Sequence, residues 1–148
     1  MPTPPASRPG MKLYMASACL AGAACRYNGG TKTDETVRAM FARGEVVPFC
    51  PELLGGMGIP RPAMELAGGD GGAVLDGAAR VTERASGADC TAAMLEGARR
   101  ALAIAIAVRP EKIFLKARSP SCGCAAGEAE GVAAALLRRG GFMLDSIE

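Results

Sequence analysis

Three thiols sit at corresponding places in the chain, and their chemistry bounds what it can do. Cys122, in Arg118-Ser119-Pro120-Ser121-Cys122-Gly123-Cys124, follows the apolar run Lys112 to Ala117 and precedes a helical pattern from about Gly127 to Arg139. Cys19, in Ser17-Ala18-Cys19-Leu20-Ala21-Gly22, and Cys50, in Phe49-Cys50-Pro51-Glu52, also follow apolar runs with strand character. In an open parallel sheet the carboxyl ends of the strands share one rim, where ligands bind. Cys19, Cys50 and Cys122 are therefore expected to meet at that rim and hold a metal centre. A thiol near a helix N-terminus is biased toward thiolate, the ligating form. The bland alternative for each is a small buried hydrophobe. Their wide spacing is unlike that of ferredoxins, so position in the fold carries the argument.

The 148 residues contain six cysteines and no histidine. This excludes Ser-His-Asp and Cys-His catalysis, Cys₂His₂ zinc and histidine-ligated haem. The chain lacks a close Cys-x₂-Cys pair. Cys90 reads as structural, and Cys25 as packed or near the site. Cys122-Gly123-Cys124 leaves two options open, with Cys124 either a further ligand or incidental.

The elements that must position these thiols alternate between strand and helix patterns. Strands are expected at Lys12 to Ala18, Val46 to Phe49, residues 112–117 and Phe142 to Ile147. Asp34 caps a predicted helix from Glu35 to about Arg43 that ends at Gly44. Pro51 suits a first helical turn. Apolar residues Met94, Leu95, Ala98, Leu102 and Ile106 predict a helix from Thr91 to about Val108, capped by Asp89. Between Met64 and Ser86 a small hairpin is expected, with strands near Ala73–Leu75 and Arg80–Thr82 and a turn at Asp76-Gly77. The class is α/β: a three-layer Rossmann-like domain over residues 11–148, with a mainly parallel sheet and a small β excursion. Met1 to Gly10 is Pro-rich and reads as a disordered tail.

The formal net charge of +2 gives no reason to expect a nucleic-acid partner. The N-terminal residues lack the apolar core of a secretory signal, and no apolar stretch suits a membrane span. A cytoplasmic protein with reduced thiols is the expectation.

Three ordered motifs carry a resemblance. Ser17-Ala18-Cys19-Leu20-Ala21-Gly22 with Cys25-Arg26-Tyr27-Asn28-Gly29-Gly30 is similar to the opening of the thiouracil desulfidase family. Cys50-Pro51-Glu52-Leu53-Leu54-Gly55-Gly56 with Pro60-Arg61-Pro62 resembles its second motif, and Ser119-Pro120-Ser121-Cys122-Gly123 its third. The resemblance implies a [4Fe-4S] cluster held by Cys19, Cys50 and Cys122, with one iron free of protein ligands. It implies catalytic roles for Glu52 and Ser119 and a small thionated substrate. The chain departs from the family pattern after Cys122-Gly123, where a shorter loop carries the extra thiol Cys124.

An open metal position marks a catalytic rather than structural site, and a soft thiocarbonyl sulfur suits iron. The expected activity is non-redox hydrolysis that removes sulfur as sulfide from a base such as thiouracil. Two competitors stand beside it. One is a non-catalytic iron–sulfur or metal-binding module with Cys124 as fourth ligand. The other is a thiol redox protein that oxidises Cys122 and Cys124.

Overall fold

A computed structural model describes residues 12–148. The tail expected at Met1 to Gly10 lies outside the described residues. Four strands, β1 (Tyr14–Ser17), β2 (Val46–Phe49), β5 (Ile113–Lys116) and β6 (Leu144–Ile147), form a wholly parallel sheet in the order β2-β1-β5-β6. The order reverses beside β1. β1 connects outward to β2 on one side and β5 to β6 on the other, so a crevice opens at the carboxyl ends of β1 and β5.

Alternation along the strands builds a core on each face. Met15, Phe49, Ile113 and Leu115 face Ala101, Ala105, Ala134 and Leu137 of two packed helices, α4 (Thr91–Val108) and α5 (Val132–Arg139). Ala16 and Val46 point the other way, toward Leu20 and Val37 of α1 (Glu35–Ala42). The result is the expected three layers. Ile113, Leu115 and Leu137 are fully buried, each worth about 1.5–3 kcal/mol of transfer free energy. Asp34 caps α1 as expected, its carboxylate accepting the Val37 N–H at 3.0 Å. Asp89 accepts the Thr91 N–H at 2.8 Å, although Cys90 holds the N-cap position of α4.

Two expectations fail. The excursion is antiparallel, but its strands are β3 (Met64–Ala67) and β4 (Arg80–Glu83), and the segment read as a strand at Ala73–Leu75 is part of a helix, α3 (Gly71–Leu75). Asp70 decides this by accepting the Ala73 N–H at 2.9 Å, which starts a helical turn. The last helix begins at Val132, not near Gly127. Residues 118–131 between β5 and α5 form an irregular loop instead.

α2 (Pro51–Leu54) is one turn long and lies flat on α4. A Cβ on Gly97 would strike the Pro51 carbonyl, and one on Gly55 would strike the Ala93 carbonyl. Two absent side chains thus permit the close approach. Arg100 completes the dock by donating to the Leu54 carbonyl at 2.6 Å. This packing sets where Cys50 and Glu52 stand.

Candidate metal centre and active site

β1 runs into a 3₁₀ turn (Ala18–Ala21), which Gly22 ends in the left-handed region at φ 106°. Cys19 lies in that turn. Cys50 follows β2 directly and occupies the N-cap of α2, where Pro51 has no N–H to satisfy. Cys122 lies on the loop after β5. The three thiols therefore follow the three adjacent strands β2, β1 and β5. All three line one cavity of about 210 Å³, together with Cys25, Glu52, Arg61, Ser119 and Ser121.

The loop carrying Cys122 is held from below. Arg118 adopts a left-handed conformation at φ 59°, and its N–H donates to Glu128 Oε2 at 3.0 Å. Glu128 Oε1 accepts from the Ala125 N–H at 3.1 Å, closing the loop on itself. The α5 N-terminus has no side-chain cap. Its free N–H groups instead donate to loop carbonyls, Val132 to Pro120 at 2.9 Å and Ala134 to Ser121 at 3.0 Å. Helix and loop thereby satisfy each other's backbone. This corrects the expected dipole effect at Cys122. The donors are consumed by the loop carbonyls, and burial pushes the Cys122 thiol up to about 12.

Glu52 is buried, at 8% exposure. Its Oε1 accepts from Arg61 Nε at 2.8 Å and its Oε2 from the Ser121 hydroxyl at 2.9 Å. Arg61 also donates to the carbonyls of Cys25, at 2.8 Å, and Gly58, at 3.1 Å. Among the described residues, no buried side-chain nitrogen or oxygen lacks a partner.

The thiols feel one another. Cys25 lies between two of the ligand candidates. Its hydrogen bond draws Cys19 below the ordinary thiol value and raises Cys50. Charge on Cys122 or Cys50 would disfavour charge on Cys19. Several thiols so close cannot all ionise without a compensating cation, which a metal centre supplies. Arg26, Arg61 and Lys116 add positive charge to the same wall. Among the described residues, no three Cys, Asp or Glu side chains converge closely enough for a single ion. A cubane cluster asks for less convergence, because each thiolate binds its own iron. The all-sulfur donor set, spread around one cavity, fits such a cluster.

The five residues singled out from sequence, Cys19, Cys50, Cys122, Glu52 and Ser119, all line this cavity. Cys124 does not. It packs against the core under the sheet, and burial raises its thiol to about 11. The role of Ser121 and the pairing of Arg61 with Glu52 carry no signal in the sequence, although Glu52 itself and Arg61 as a pocket residue do. Ser121 stood in the third motif, but only the fold shows that it reaches Glu52.

The model of the family described as 2-thiouracil desulfurase matches residues 15–147. The chain belongs to that family. The desulfurase match runs from the second residue of β1 to the last of β6, so it takes in every strand that bounds the cavity. A curated relative, the uncharacterized protein YbbK of Bacillus subtilis strain 168, is 39% identical over 144 residues, covering 90% of this chain and 95% of the relative. A solved structure described as the [4Fe-4S]-dependent thiouracil desulfidase TudS is 35% identical with a TM-score of 0.76. That likeness covers 91% of this chain and 90% of TudS.

Proposed function

We propose that this protein is a [4Fe-4S]-dependent desulfidase that removes the sulfur of thiouracil, or a closely related thionated base, as sulfide. The observation that carries the reading is the convergence of Cys19, Cys50 and Cys122 on one cavity that also contains the buried Glu52. Family membership and the likeness to TudS support the activity and the cofactor.

Cys19, Cys50 and Cys122 are the residues that would hold the cluster. When bound, it supplies a Lewis-acidic iron without a protein ligand, suited to a soft thiocarbonyl sulfur. The remaining chemistry falls to the polar wall. Glu52 takes a proton from the attacking water at one of its carboxylate oxygens. Arg61 keeps that carboxylate oriented. Ser119 presents its hydroxyl to the substrate. Water oxygen replaces sulfur at the carbon and hydrogen sulfide leaves, so the reaction is a hydrolysis that needs no electron donor.

Residues 11–148 act as one domain in this reading, with a small molecule as partner. No helix among the described residues is long and apolar enough to cross a membrane. A cluster held by thiolates needs reduced cysteines, which supports a cytoplasmic site of action in this reading.

The test is anaerobic purification, reconstitution with iron and sulfide, and incubation with 2-thiouracil. Release of sulfide with formation of uracil is expected. A loaded cluster that releases no sulfide from any thionated base overturns the proposal.

A further inference from the structure

Ser121 is 2% exposed and stands between Ser119 and Glu52. Counting donors and acceptors gives this trio a direction. A serine hydroxyl has one hydrogen and two acceptor sites. Ser119 Oγ accepts the backbone N–H of Ser121 at 3.2 Å and that of Cys122 at 3.1 Å. Both acceptor sites are thus occupied, and Ser119 is left with only its hydrogen to give. Ser121 Oγ lies 3.0 Å away to receive it.

Ser121 also has one hydrogen. Two acceptors are within reach, Glu52 Oε2 at 2.9 Å and the Cys122 sulfur at 3.7 Å. A carboxylate in an ion pair is much the stronger acceptor, so the hydrogen goes to Glu52. The other carboxylate oxygen is filled by Arg61 Nε at 2.8 Å. The polarity therefore runs one way, from the Ser119 hydroxyl through Ser121 to Glu52, with Arg61 closing the far end.

We propose that Ser121 is a positioning residue of the desulfidation site, joining Ser119 and Glu52 into a single directional hydrogen-bond chain. The inference rests on the functional reading above, in which Glu52 and Ser119 act on the substrate. It changes what those two residues are. They work as one unit, because a substrate atom that accepts the Ser119 hydrogen must take it from Ser121. Losing the Ser121 hydroxyl removes the acceptor of the Ser119 hydrogen and strips Glu52 of one of its two donors, while the Ser119 and Glu52 side chains stay present.

A double-mutant cycle tests this, using Ser119→Ala, Ser121→Ala and the double variant. Each reconstituted protein is assayed for iron per chain, KM and kcat with 2-thiouracil, and each apo-protein for its urea midpoint. Ser121→Ala should lower kcat about 10- to 100-fold with iron content and KM near wild type, as for a misplaced working group. The double variant should be no more than about threefold worse than the poorer single one, because groups acting in series are not additive. The apo-protein midpoints should show the same non-additivity. An unchanged kcat in Ser121→Ala, a loss that merely tracks iron content, or losses that multiply in the double variant would each overturn the proposal. If wild type itself releases no sulfide, the functional reading has failed. The apo-protein cycle then judges the chain alone, and additive midpoint shifts overturn it.

Discussion

The Arg61 guanidinium meets the Glu52 carboxylate at 2.8 Å, and the two side chains are only 6% and 11% exposed. An ion pair this buried stabilises little in net terms, yet removing one partner strands the other. Arg61→Ala leaves Glu52 uncompensated and deprives two backbone carbonyls of their donor. The expected cost is about 3–5 kcal/mol in urea unfolding of the apo-protein. Arg61→Ala combined with Glu52→Ala should recover part of that loss, since it removes the stranded charge. A double variant as unstable as the sum of the two singles would mean that the pair is not coupled.

Cys124 separates the enzyme from a closed four-thiol metal module. It lies outside the cavity that holds the other candidates, so Cys124→Ser should retain the iron content and sulfide release of wild type. Cys19→Ser, Cys50→Ser and Cys122→Ser should each lose most of their iron, because a hard hydroxyl replaces a soft thiolate. Iron analysis after identical anaerobic reconstitution decides between them. Iron loss in Cys124→Ser as well as in the other three would favour the module.

What was legible in the sequence follows from the range of the interactions involved. Asp34, Gly44 and Pro51 act on their own turn, so their meaning is local and their elements fall where expected. The thiols lie beyond the carboxyl ends of their strands, Cys50 immediately after β2, Cys19 in the turn after β1 and Cys122 further along the loop after β5. Ala73–Leu75 is apolar in either state, and the choice rests on the Asp70 cap and on β4 pairing with β3 instead. The late start of α5 depends on loop carbonyls that satisfy its N–H groups, which no residue type announces. Ser121 meets Glu52 across 69 positions, a contact that only the packing of α2 on α4 and of α5 on its loop creates.

That packing is testable at Gly131. A Cβ there would lie 2.5 Å from the Ser121 carbonyl carbon and 2.8 Å from the Cys122 nitrogen, so the loop must move to admit it. Gly131→Ala should destabilise by about 1–3 kcal/mol, the usual cost of overpacking. It should also reduce iron loading, because the displaced segment carries Cys122. Gly58→Ala is the matched control. Its nearest non-neighbour atom would be 4.0 Å away, and the change should stay within about 0.5 kcal/mol. Full iron loading with wild-type stability in Gly131→Ala would show that the loop is not clamped.

Acid sensitivity of the apo-protein should report on the start of α4. The Asp89 carboxyl is held down to about 2 from its ordinary 3.8, first by the Thr91 N–H, then by the Thr91 hydroxyl and by Arg80. The folded value lies below the unfolded one, so its contribution is fully present above pH 3.8 and fades as pH falls toward about 2. Asp89→Asn abolishes this titration and keeps an oxygen for the Thr91 N–H. The stability gap between wild type and Asp89→Asn should therefore be constant from pH 7 down to about 4 and close below that. Urea midpoints measured across that range check the sign. A gap that widens on acidification would mean that the Asp89 carboxyl is raised in the folded state.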